Sequence, residues 1–366
     1  MNSRPNFLHS TTRAGGKIMR VFLVGAAAAF AAGAARAGNL PALPEYQPKQ
    51  KVAGVLRSWG SQHMARVMKC WQEGFRKYQP DVTFSDNLKG SATGMLGLEE
   101  MVADMALMGR QIVPYDTYGI WRRSHLLPVE IMVATGSYDL PQKSHALTVF
   151  VHRDNPLARL TLQQLDGIFG AQRTGGWQNM EWKPEVARST QGDIRTWGQL
   201  GLTGGWADQP IHPYGPPSLF PGGMSFFQLK VMGGADTWAE DLREYADRRE
   251  MMEVLSRDRY GIAYTGMCYK TSAVKALALA EKPEGPYIAP TKETVAARTY
   301  PLTRSVYIYF APDLPSGEPA DPKVDPKLRE FLSYILSRQG QEDVIRSGDY
   351  LPLPPAVSEC ERQKLD

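Results

Sequence analysis

From Val52 onward the chain alternates between short β-type runs and stretches of helical spacing. Val52–Ser58 reads as a strand and Trp59-Gly60-Ser61 as a turn. Met64, Val67, Met68, Trp71 and Phe75 then recur every three or four residues, the spacing of one helix face. Asn87–Ile112 repeats the plan. Gly90, Ser91 and Thr93 lead a helical pattern with Met95, Leu98, Met101 and Val102 on one face, Ala103–Met108 reads as a buried strand, and Gly109-Arg110 ends it. A third case opens with the strand Ile211–Tyr214, passes through the loop GPPSLFPGGM, and enters an apolar helix at Ser225-Phe226-Phe227. Leu127–Thr135, His145–His152, Tyr260–Tyr264 and Tyr307–Phe310 read as further strands. Helices are expected from Thr161 (Leu162, Leu165, Ile168 and Phe169 apolar), over Ala239–Leu255 as a charged amphipathic helix, and over Leu328–Arg346 as a closing helix. Gln172–Thr196 is polar without a clear period and reads as an inserted surface loop, and Pro312–Pro326 as a Pro/Asp-rich loop.

A small-residue turn feeding a helix leaves unpaired backbone N–H groups and hydroxyls aimed at one spot, with the positive end of the helix behind them. Three such units point to helix amino ends converging on one ligand at the carboxyl ends of parallel strands. The fold class is therefore α/β. The candidate groups are Gly60, Ser61 and Gln62 in the first loop, Gly90, Ser91 and Thr93 in the second, Arg110 as the cation, and Gly222, Gly223 and Ser225 in the third. Met224 cannot donate a hydrogen bond, and its soft apolar side chain suits an organic surface.

Length changes the picture: 366 residues at 43% hydrophobic and 22% charged suffice for two ordinary domains with cores of their own. Residues 1–37 have the form of a cleavable export signal. Met19–Ala37 carries a basic flank and an Ala-rich apolar run ending in Ala35-Arg36-Ala37, and translation starts at Met1 or Met19. The run is too short and too rich in Gly and Ala for a confident membrane span. Five basic and no acidic residues fall in this leader (Arg4, Arg13, Lys17, Arg20 and Arg36). With 42 basic and 38 acidic residues in all, the remainder is close to neutral and offers no basic patch for nucleic acid. Cys70, Cys268 and Cys360 allow one disulfide in an exported protein. No Cys/His cluster has metal-site spacing, no cofactor motif is present, and no nucleophile–base–acid set suggests an enzyme.

The order of segments resembles the phosphate-binding proteins of ABC importers. The resemblance is carried by RSWGSQHMARVMKCWQEGFRKYQPDV, KGSATGMLGLEEMVADMALMGRQI, LTVFVHRDNPLARLTLQQLDGIFG, TWGQLGLTGGWADQPIHPYG, RYGIAYTGM, YPLTRSVYIYF and FLSYILSRQGQEDVIRSGDYLPL, which span Val52 to Leu353 in family order. It implies a two-lobed periplasmic binding protein fold, each lobe a mixed sheet flanked by helices, with a hinge between them. The implied layout is a signal peptide (1–37), a Pro-rich lead (38–51), lobe 1 from 52–144 and 304–366, and lobe 2 from 145–303. The resemblance further implies capture of phosphate or a similar small anion in the periplasm for a membrane ABC permease, by a chain not membrane-embedded after cleavage. Its alternative is a member whose phosphate site has decayed, serving another small ligand or a structural or signalling interaction. Two family features are replaced. The Asp, or the Ser preceding the arginine, becomes Gly109, and the third-loop Ser-Gly-Thr becomes Gly222-Gly223-Met224 with no arginine upstream. Weaker phosphate binding than the family pattern implies is the resulting expectation.

Overall fold

A computed structural model of the chain describes residues 40–124, 126–178, 180–217, 222–311 and 324–365. The leader and most of the Pro312–Pro326 loop lie outside the described residues. In chain order the first elements are β1 (Gly54–Gly60), α1 (Ala65–Phe75), β2 (Val82–Asn87), α2 (Ser91–Glu99), β3 (Met105–Met108), α3 (Pro114–Ser124) and β4 (Val129–Thr135). Then come β5 (Leu147–His152), β6 (Arg159–Thr161), α4 (Leu162–Phe169), the hairpin β7 (Gly176–Gln178) and β8 (Glu181–Lys183), β9 (His212–Gly215), α5 (Gly223–Val231) and β10 (Arg243–Glu244). The remainder is α6 (Arg248–Leu255), β11 (Gly261–Gly266), β12 (Val274–Ala276), β13 (Ala278–Ala280), α7 (Lys292–Ala296), β14 (Ser305–Phe310), α8 (Pro326–Ile335), α9 (Arg338–Ser347) and α10 (Pro355–Gln363).

Two five-stranded mixed sheets organise these elements. The first has the order β2-β1-β3-β14-β4, with β1, β2 and β3 parallel and β14 antiparallel to both neighbours. The second has the order β10-β9-β11-β5-β12, with β9, β10 and β11 parallel and β5 antiparallel. Strand residues face alternate sides, and helices cover both faces. Met105 and Leu107 of β3 and Val306, Ile308 and Phe310 of β14 join one core, with α1, α8 and α9. Ala106, Met108, Tyr307 and Tyr309 join the opposite core beneath α2 and α3. The second sheet divides likewise. Leu147, Val149 and Val151 pack with Phe169 and Phe227, whereas Phe150 and Ala263 pack with Met251, Met252 and Leu255 of α6. Burial on both faces explains why these strands read as continuous apolar runs.

The chain passes between the sheets at two adjacent places. Gly136 N–H donates to Arg304 O (2.9 Å), and Leu147 N–H donates to Leu302 O (3.0 Å). The described helices include none long and apolar enough to cross a membrane.

Several expected boundaries change. Helix α2 stops at Glu99; Met101 takes a left-handed conformation (φ 55°) and, with Val102, is exposed, so the buried side is Met95, Leu98, Gly94 and Gly97. The helix expected over Ala239–Leu255 begins only at Arg248, because the Asp247 side chain caps it by accepting from Arg249 N–H. The single closing helix is two: Ser337 Oγ accepts from Gly340 N–H and starts α9 afresh. The polar stretch Gln172–Thr196 is structured and contains the β7–β8 hairpin. No two of Cys70, Cys268 and Cys360 are bonded to each other.

The end of β1 fixes where the first loop begins. Gly60 sits at φ 140°, and a Cβ there would lie 2.2 Å from Leu107 O of the neighbouring strand. Gly60→Ala must therefore push β1 off β3. The expected cost is about 2–4 kcal/mol in urea unfolding; a loss below about 0.5 kcal/mol, within the range of ordinary surface substitutions, would show that β1 does not need this close approach.

Candidate functional site

Three chain segments are pinned to one another where β1, β2 and β3 end. Ser61 N–H donates to Leu107 O (2.8 Å), and Gly90 N–H donates to Gly60 O (2.8 Å). Ser61 accepts from His63 N–H (3.3 Å) and caps the short turn entering α1. Ser91 Oγ accepts from Gly109 N–H (3.3 Å), tying the start of α2 to the end of β3. Ser144 Oγ donates to Gly109 O (2.8 Å). Gly109 is the centre of this group: the position its missing Cβ would take is 3.0 Å from Ser144 Oγ and 3.9 Å from both Ser61 Oγ and Ser91 Oγ. Three hydroxyls thus surround the place where the resemblance implies a hydroxyl or carboxylate.

These groups open on a cleft of about 590 Å³ that is also lined by the second sheet's elements. It brings together Ser61, Gln62, Gly90, Ser91, Arg110, Gly222 and Gly223 of the sequence candidates. Gly60, Thr93 and Ser225 do not line it. Gly60 is held in β1; Thr93 Oγ1 donates back to Gly90 O (2.8 Å); Ser225 Oγ caps Gly222, accepting from its N–H (3.1 Å) and donating to its carbonyl (3.0 Å). Both hydroxyls are bonded to backbone at the start of their own helix.

The charges are not distributed as the sequence suggests. Arg110 is buried and bonded to both oxygens of buried Asp116 (2.5 and 2.9 Å), and it also donates to Gln111 O (2.9 Å). Arg110 therefore borders the cleft as a neutral pair. Two other guanidinium groups line it. Arg304, at the start of β14, is 7% exposed, and burial pushes its pKa down to about 10, still protonated at neutral pH. Arg248, at the start of α6, donates to Tyr245 O (3.0 Å) and Ala246 O (2.8 Å), and burial lowers its pKa. His145 is pushed down to about 4 by burial and then by Arg304, so it is neutral at pH 7. Tyr264 lines the same cleft with its hydroxyl buried and without a hydrogen-bond partner among the described residues. None of the described lining residues is Asp or Glu.

A second, larger groove of about 870 Å³ is lined by residues 111–115 and by the first turn of α5. Met224, Ser225 and Phe226 line it together with Tyr115, Trp177 and Trp182. Met224 thus faces an apolar surface, as its side chain suggests, but outside the cleft.

Two mixed sheets flanked by helices, with a polar cleft at the strand ends between them, define a two-lobed solute-binding protein. A family model described as a PBP superfamily domain matches residues 34–339. The phosphate-binding protein PstS of Pseudomonas aeruginosa is 33% identical over 335 residues, covering 91% of this chain and 94% of that protein. The chain belongs to the PBP superfamily and, within it, is a PstS-like member. Solved structures share the fold. PstS from Borrelia burgdorferi matches with a TM-score of 0.53 at 17% identity, over 83% of this chain and 100% of that one. An ABC-type phosphate transport receptor from Vibrio cholerae matches with a TM-score of 0.51 at 19% identity, over 82% and 100%.

Ser144, His145, Arg248, Tyr264 and Arg304 escaped the sequence reading. The only local cue was position: Ser144-His145 and Thr303-Arg304 flank the two expected lobe crossings.

The buried imidazole makes a pH prediction. Unfolded His145 titrates near 6.5 and the folded group near 4. Below 6.5 the unfolded state takes up the proton first, so stability falls as pH drops through this window and levels off below about 4. The ligand-free protein is expected to lose on the order of 2–3 kcal/mol between pH 7 and 4 from this group. His145→Gln should flatten that part of the stability–pH curve; an unchanged slope would show that His145 is not the group responsible.

Proposed function

We propose that this protein captures phosphate, or a related tetrahedral oxyanion, between its two lobes and presents it to a membrane ABC permease. It acts in the periplasm after removal of residues 1–37. The observation that carries this reading is the make-up of the cleft. It gathers hydroxyls, the amino ends of α2 and α5, and guanidinium groups, with no carboxylate among its described lining residues. A tetrahedral oxyanion needs many fixed N–H and O–H donors and a cation in a partly dehydrated space. The similarity to the phosphate-binding protein PstS of Pseudomonas aeruginosa supports phosphate within that class. The lobes are residues 52–144 with 304–366, and residues 145–303, closing about the paired crossings.

Titration calorimetry with phosphate, arsenate and sulfate tests the proposal. Phosphate is expected to bind with one site per chain. Ser91→Ala removes a hydroxyl donor to the ligand, and a bond to a charged group is worth roughly 1.5–3 kcal/mol, so affinity should fall by about ten-fold or more. Absence of binding to all three oxyanions would overturn the reading.

A further inference from the structure

We propose that Arg304, set against the amino end of α5, supplies the charge that holds the anion, the role the resemblance gives to Arg110. The inference rests on the oxyanion-capture reading and names the group within that cleft on which it depends.

The candidates for the charge separate by what already holds them. The Arg110 guanidinium is engaged on both outer nitrogens by buried Asp116. An arriving anion gains little from a cation already neutralised at hydrogen-bond distance. Arg248 spends one nitrogen on the Tyr245 and Ala246 carbonyls and keeps contact with the cleft edge. Arg304 is different. Its hydrogen bond is Nη2 to Gly109 O (2.9 Å), and no carboxylate among the described residues pairs with it. A buried guanidinium with one neutral acceptor leaves most of its donors unused.

Its orientation is informative. Nη1 lies 3.7 Å from the position that a Cβ on Gly223 would take. Gly223 is the first residue of α5, a helix whose opening N–H groups carry partial positive charge. A guanidinium and a helix amino end therefore face each other at contact distance, two positive features with no negative group between them among the described residues. That arrangement is unfavourable on its own and favourable around an anion. Tyr264 gives a second, independent sign. Its ring stacks on Phe227 of α5 (3.9 Å between centroids), and its buried hydroxyl lines the cleft without a partner. Arg304 immediately precedes β14, an interior strand of the first sheet; Gly223 opens α5, which packs on the second sheet, and Tyr264 lies in β11 of that sheet. One oxyanion bonded to all three ties the lobes together.

The role predicts opposite effects on binding and on ligand-free stability, because removing an uncompensated buried cation relieves strain that only the ligand relieves in the native protein. In calorimetry with phosphate, Arg304→Gln should weaken binding by at least about 100-fold, while the ligand-free melting temperature stays the same or rises. Gly223→Asp is the complementary variant. It sets a carboxylate beside Arg304 Nη1 and at a favourable helix position, so it should raise the ligand-free melting temperature and abolish phosphate binding. A variant Arg304→Gln that melts lower and binds phosphate within about three-fold of native would overturn the inference and make Arg304 a structural tie to Gly109. Gly223→Asp that leaves phosphate affinity unchanged would overturn it as well. A native protein that binds none of phosphate, arsenate and sulfate would overturn the capture reading itself, a result distinct from both.

Discussion

The structure depends on how closely β1 approaches β3. At Gly60 the strands come so near that only a glycine fits, and the next amide, of Ser61, is pinned to Leu107 O. Gly60 O in turn receives Gly90 N–H, so one point of contact sets the height of both small-residue loops at the edge of the sheet. Gly94 and Gly97 of α2 then let the helix lie directly on the strands: added Cβ atoms there would fall 3.0 Å from Ala106 Cβ and 2.9 Å from the Trp59 ring. The hydroxyls of Ser61 and Ser91 are thus carried by backbone, not by long side chains free to move. This is the preorganisation an oxyanion site needs, since donors already in place cost no further ordering when the ligand arrives.

Charge is arranged around the same spot by subtraction. The resemblance places a cation after β3, and Arg110 is there, but Asp116 cancels it. The resemblance also places donors in the third loop, where Met224 has replaced one. Ser144, Arg304 and Tyr264 reach the cleft from other elements. The two substitutions that suggest a weakened site are therefore accompanied by groups that the linear motif does not contain. Asp116 settles Arg110 locally: it also accepts Val113 N–H (2.8 Å), so the pair belongs to the entry of α3 as much as to the cleft.

How much of this was legible in the sequence follows from the range of the interactions involved. The three strand–loop–helix units were readable because period and small-residue turns are local signals; Met64, Val67, Met68, Trp71 and Phe75 are all fully buried in the first core. Helix ends were less so. Ser337 restarting α9 and Asp247 starting α6 are caps that sit inside an apolar-periodic run, and periodicity alone carries the run through them. The hairpin carrying Trp177 and Trp182 lacked strand character because both strands are three residues long. Arg304 was beyond reach for a different reason. Its value comes from having no carboxylate beside it, and which groups surround a side chain 195 positions away from Gly109 is decided by tertiary packing.

One oxyanion is expected to occupy the junction of Ser61, Ser91 and Arg304 with the amino end of α5. Crystals of the protein grown with arsenate test it most directly, because arsenic is located by its anomalous scattering. A single peak is expected in the cleft, within hydrogen-bond reach of the Ser61 and Ser91 hydroxyls and of Arg304, with the Arg110–Asp116 pair intact. A peak in the Trp177–Trp182 groove, or one held by Arg110 after that pair has opened, would contradict it.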